Sequence, residues 1–142
     1  MVMVKLNLKM KVYVFGNQDL PQDNLAFQVA DKLQNKIKGV EFTTVKLNED
    51  LPFTDEKQVV ILDTVEGIKK VEIIDENDLD KLTLSPKTSV HDFDLGFQLK
   101  YLKKLDKLQK VTIIGLPPKG EINYFLIQSI LRKLVAQDMQ GS

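Results

Sequence analysis

The chain has 142 residues, with 20 basic and 20 acidic side chains, one histidine and no cysteine. That length supports the core of one ordinary domain, and 43% apolar with 28% charged residues is a globular balance. Without cysteine, a disulfide scaffold, a thiolate zinc site and a cysteine nucleophile are excluded, and the cancelling charges supply no basic field to draw in nucleic acid.

In chain order, the first segment alternates apolar and polar residues (Val4, Leu6, Leu8, Met10, Val12, Val14), which is strand periodicity. Lys5, Asn7, Lys9 and Lys11 interrupt any apolar run long enough for a signal peptide. No later segment approaches a membrane span, so a cytoplasmic address is expected. Residues 1–10 read as a strand extension, and Gly141-Ser142 as a tag remnant. Lys11 to Phe15 is the first clear strand, closed by the turn pair Gly16-Asn17. Pro21 opens a predicted helix in which Ala26, Val29, Ala30, Leu33 and Ile37 recur at helical spacing, with Gly39 as its C-cap. Val40 to Leu47 reads as a second strand and Asn48 to Lys57 as an acidic loop.

The run Gln58-Val-Val-Ile-Leu-Asp63 is apolar on both faces, the pattern of a central strand in a parallel sheet. After a turn at Glu66-Gly67, Val71 to Ile74 is predicted as an edge strand. A helix is expected from Asp92, with Leu95, Leu99, Leu102 and Leu105 as its apolar stripe. Lys110 to Gly115 is a further buried strand, stopped by Gly115 and Pro117-Pro118. A final helix is predicted from Glu121 to Gln137 on Ile122, Phe125, Leu126, Ile130 and Leu134. Alternating strands and helices predict one α/β domain, a three-layer α/β/α sandwich around a mostly parallel twisted sheet of about five strands.

Binding sites in open α/β sheets form outside the carboxyl ends of the strands. Three polar residues fall there: Asp23 after the first strand, Asp63 at the end of the central strand, and His91 ahead of a helix. Two carboxylates and an imidazole suit zinc, nickel or a similar divalent ion, with positions left open for substrate. Each residue also has a plain structural reading: a helix N-terminal acid, a turn cap and a surface histidine. Their shared rim is what points to a site. No glycine follows Gly16 before Gly39, so neither a dinucleotide fingerprint nor a P-loop is present. Lys100, Lys103, Lys104, Lys107 and Lys110 read as a solvated helix face, and nucleic acid is not expected as a partner.

Several of these segments, taken together, resemble the hydrogenase maturation endopeptidases. Val14-Phe-Gly-Asn17 is similar to that family's first strand and Gly-Asn turn, and Asp23 falls where the second acid of its Asp-Asp-Gly segment stands. Val60-Ile-Leu-Asp63 resembles the strand that ends in a metal-binding aspartate. Ser89-Val-His91 resembles the family's histidine segment, and Val111-Thr-Ile-Ile-Gly115 with Pro117 its late strand. The resemblance implies a peptidase that removes the C-terminal extension of a [NiFe] hydrogenase large-subunit precursor. It implies that Asp23, Asp63 and His91 are both metal-engaging and catalytic, with Gly16 and Asn17 beside the substrate. The cofactor it implies is nickel, carried by the substrate, with zinc or cadmium as substitute ions in a crystal. Its partner is the precursor large subunit, with no membrane insertion. The alternative is a non-catalytic assembly protein of the same fold that senses nickel in a hydrogenase-like partner. Where the family has Asp-Asp-Gly-x-Gly, this chain reads Gln22-Asp23-Asn24-Leu25-Ala26, and the family's Gly-Gly-Thr loop has no counterpart in Leu47 to Phe53. A differently shaped site mouth is therefore expected.

Overall fold

In the computed structural model, residues 9–16, 24–45, 56, 58–79 and 95–140 are described, with backbone only for 95–97 and 138–140. The described elements are β1 (Met10–Val14), α1 (Leu25–Leu33), β2 (Val40–Thr44), β3 (Gln58–Thr64), β4 (Glu72–Asp75), α2 (Leu95–Lys104), β5 (Lys110–Leu116) and α3 (Tyr124–Gln140). The sheet order is β2-β1-β3-β5-β4. All pairings are parallel except that of β4, an antiparallel edge against β5. The three-layer α/β/α expectation holds.

Strand alternation sorts the core into two halves. Val12, Val14, Val60, Leu62, Ile114 and Leu116 point to one face, where α1 and α3 cover them with Val29, Leu33, Ile127 and Leu131. Tyr13, Val59, Ile61, Val111 and Ile113 point to the other, under Leu99 and Leu102 of α2. β3 is buried on both faces because it sits between parallel neighbours with helices above and below, which explains its unbroken apolar run. Each fully buried Ile or Leu here contributes about 1.5–3 kcal/mol relative to exposure. On the shared face the Lys32 ammonium lies 4.5 Å from the Tyr124 ring centroid, a cation–π contact joining α1 to α3.

Several boundaries differ from the sequence expectation: β2 ends at Thr44, short of the expected Leu47, and α1 begins at Leu25, after the expected Pro21. Gly39 is not a helix C-cap: α1 ends at Leu33 with Gln34 as cap, and Asn35 at φ +66° turns the chain. Asparagine tolerates that left-handed geometry, while Gly39 lies immediately before β2 and accepts a hydrogen bond from the Met10 N–H at 2.7 Å. Leu105 lies beyond α2 and is 47% exposed. β5 does not stop at Gly115 but runs through Leu116, because the Leu116 carbonyl still bonds the Val65 N–H at 2.9 Å. The final helix starts at Tyr124 rather than Glu121, with its N-terminus fixed by Asn123, whose Oδ1 accepts from the Leu126 N–H at 3.0 Å. Its buried stripe is Ile127, Leu131 and Leu134, while Phe125 is 78% exposed. Ile122 packs just before the cap against the same core as Ile127, in the manner of a hydrophobic staple. Among the described residues, no helix is long and apolar enough to cross a membrane.

Candidate functional site

β1 is flanked by β2 on one side and β3 on the other, so the connections leaving β1 and β2 diverge at the carboxyl ends of β1 and β3. This is the switch point of an open α/β sheet, where neighbouring loops separate and leave a crevice. At the end of β1, Gly16 adopts φ +140°, a backbone region that favours glycine. The Phe15 N–H still bonds the Leu62 carbonyl at 3.0 Å, so β1 and β3 stay in register to the rim.

Asp63 stands on that rim. Its half-buried position follows from alternation: it shares the α2 face with Val59 and Ile61, but lies where the apolar core gives out. Its Oδ1 accepts the Thr64 N–H at 2.9 Å, which fixes the carboxylate against its own backbone. Its register partner on β5 is Gly115. A Cβ at Gly115 would come within 3.1 Å of Val65 Cγ2 and 3.2 Å of Ile68 Cδ1. Glycine therefore lets the chain just after Asp63 fold back onto β5 and β4.

Thr64 points the opposite way, toward α1 and α3, and its Oγ1 is buried without a hydrogen-bond partner among the described residues. Tyr13 is also buried, and its hydroxyl donates to Glu56. Burial, then the hydrogen bond and the negative charge of Glu56, push the phenol well above its usual range. Neither Thr64 nor Tyr13 was singled out by sequence. A threonine at a strand end and a tyrosine in an apolar strand carry no local signal of what they face.

Of the other site expectations, Asp23, His91 and Asn17 lie outside the described residues. What is described is where their flanking elements sit. Asn24 precedes α1, which carries the chain from the carboxyl end of β1 to the amino end of parallel β2. α2 ends near the amino edge, where the Lys103 ammonium bonds the Glu76 carbonyl at 3.1 Å and Glu76 Oε1 accepts the Val111 N–H at 3.0 Å. The first turn of α2 therefore points toward the rim of Asp63, on the same face of the sheet, and His91 is four residues upstream of Leu95 in sequence.

Comparisons with known proteins bear on this arrangement. A family profile described as hydrogenase maturation protease matches residues 40–140. The fold is similar to the hydrogenase maturating endopeptidase HybD from E. coli at TM-score 0.57 and 16% identity, covering 94% of this chain and 93% of that one. An endopeptidase from Escherichia coli solved in solution is similar at TM-score 0.57 and 16% identity, over 89% of each chain. An uncharacterized protein from Wolinella succinogenes is similar at TM-score 0.51 and 13% identity, over 92% of this chain and 99% of that one. At such identities these likenesses establish the fold. No curated protein matches the sequence.

Proposed function

The chain belongs to the hydrogenase maturation protease family, and from that premise we propose that it removes the C-terminal extension of a nickel-loaded [NiFe] hydrogenase large-subunit precursor. It is an enzyme, a maturation endopeptidase. The observation that carries the finer reading is Asp63, a carboxylate held by the Thr64 N–H at the switch point of the sheet, where such folds bind their ligands.

In this reading Asp63 acts with Asp23 and His91 on the nickel that the substrate brings. Two carboxylates and an imidazole match the donor preference of that ion and leave positions for the precursor's own ligands. The cation polarises the scissile carbonyl and lowers the pKa of a water, so no protein nucleophile is required. Gly16 borders the same rim, and in this reading Gly16 and Asn17 lie against the substrate chain. The same reading assigns the reaction to the cytoplasm.

The test is to incubate the protein with its nickel-loaded precursor and follow the C-terminal mass. Loss of a peptide, slowed at least about a hundredfold by Asp63→Asn or His91→Ala with folding unchanged, supports the reading. Stable association without cleavage would move it to the non-catalytic assembly partner. Cleavage by the Asp63→Asn variant at the native rate would remove Asp63 from the chemistry.

A further inference from the structure

A second feature lies on the other side of the sheet from Asp63. α1 and the edge of the sheet enclose an open-sided groove of about 350 Å³, lined by Val14, Asn24, Phe27, Gln28, Ala30, Asp31, Gln34, Phe42 and Thr44. Five of the six α1-side residues, from Asn24 through Phe27, Gln28 and Asp31 to Gln34, recur at the three- and four-residue spacing of one helix face, so they form a continuous wall. The opposite wall and floor are Val14 of β1 with Phe42 and Thr44 of β2.

We propose that this groove binds an extended segment of the substrate polypeptide flanking the scissile bond, with a basic side chain seated against Asp31. The proposal rests on the endopeptidase reading. Its geometry suits an extended chain. Asn24 to Gln34 covers about 15 Å of helix at 1.5 Å per residue, the length of four to five extended residues. Asn24, Gln28 and Gln34 carry carboxamides, which both donate and accept, as a peptide backbone requires. Asn24 Oδ1 and Gln28 Nε2 already pair at 2.6 Å, leaving on each amide the group of opposite sense. Phe27 and Phe42 are half-buried and offer apolar contact to alternate side chains of the bound strand.

Charge sets the orientation. Asp31 is the one ionised group in the lining, is exposed, and has no lysine or arginine beside it among the lining residues. A lysine or arginine on the ligand would complete the pair. The groove also reaches Val14, the last residue of β1 before the switch point, so a chain lying in it would lead toward the rim where Asp63 stands. Backbone pairing through amides tolerates sequence variation, while a single acid selects one position.

The test uses the full-length protein and two fluorescein-labelled synthetic peptides of about a dozen residues spanning the precursor's cleavage junction, one with lysine and one with glutamate at the selected position. Anisotropy of the peptides gives binding, and the C-terminal mass of the nickel-loaded precursor gives cleavage. The lysine peptide should bind more tightly. Asp31→Lys should weaken it about three- to fivefold and reverse the preference between the two peptides, and it should raise KM for the nickel-loaded precursor while leaving kcat unchanged. Gln28→Ala with Thr44→Ala should weaken both peptides alike, and Asp63→Asn should leave binding intact. Peptide binding that obeys this charge reversal, with no cleavage of the nickel-loaded precursor, upholds the groove and defeats the endopeptidase reading instead. Processing of the nickel-loaded precursor with the same KM before and after Asp31→Lys overturns the groove, as does peptide binding that shifts amide resonances elsewhere but not in α1 and β2.

Discussion

Thr64→Val exchanges a buried hydroxyl for a methyl group of nearly the same size, one residue after Asp63 and on the opposite face of β3. In the folded protein Thr64 Oγ1 has lost its water without gaining a hydrogen bond among the described residues. Leaving a polar group in that condition costs about 1–3 kcal/mol. Valine is β-branched like threonine and equally suited to a strand, so its backbone preference changes little. The substitution should therefore stabilise the protein by about 1–2 kcal/mol, a rise in Tm of about 3–6 °C for a domain of this size. Cleavage should not change, because the group that holds Asp63 Oδ1 is the Thr64 backbone N–H, which valine keeps. Calorimetry and urea titration measure the first expectation, and precursor processing the second. A fall in Tm would refute the reasoning, since it would mean that the hydroxyl is satisfied in solution. Loss of cleavage at unchanged or higher stability would instead give the hydroxyl a part in catalysis.

Tyr13→Phe bears on alkaline stability. The phenol pKa is raised in the fold, chiefly by burial and then by Glu56; the unfolded chain therefore loses this proton first. Stability is complete below the unfolded value of about 10 and falls as the pH rises above it. Tyr13→Phe should flatten that alkaline decline while costing about 1 kcal/mol at neutral pH, for the lost bond to Glu56. Asn123→Ala removes the cap on the Leu126 N–H and should cost about 1 kcal/mol in denaturant titration, with no change in substrate KM. Gly115→Ala places a Cβ within 3.1 Å of Val65 and 3.2 Å of Ile68. It should cost about 1 kcal/mol and slow cleavage, because the turn that must yield directly follows Asp63 and Thr64. A Gly115→Ala variant with full activity would show that this turn does not position Asp63.

The strands and their order of burial were legible in the sequence because they are written in short-range periodicity. The Val59 to Leu62 run announced a strand covered on both faces, and Val71 to Ile74 an edge, which the structure places as β4 one residue later. Helix boundaries were less legible. Phe125 and Leu126 fit a helical stripe as well as Ile127 and Leu131 do, and only the face offered to β3 and β5 chose between them. Gly39 fits a helix C-cap in sequence, but the chain turns earlier, at Asn35, and Gly39, bonded by the Met10 N–H, leads into β2.

For the site, sequence alone could place a carboxylate at the end of a central strand, since the apolar run stops at Asp63. It could not say that Asp63 faces α2, that Gly115 lies across from it, or that the neighbouring hydroxyl of Thr64 is buried without a partner. Those facts depend on which residues of β3 and β5 come into register, separated by about fifty positions in the chain. The α1 groove is a similar case. Its residues lie on two segments whose spacing looks like an ordinary solvated helix and edge strand. Only packing α1 across β1 and β2 brings Asp31 and Gln28 opposite Phe42 and Thr44. Local propensity decided the elements, and long-range register decided which of their side chains share a surface.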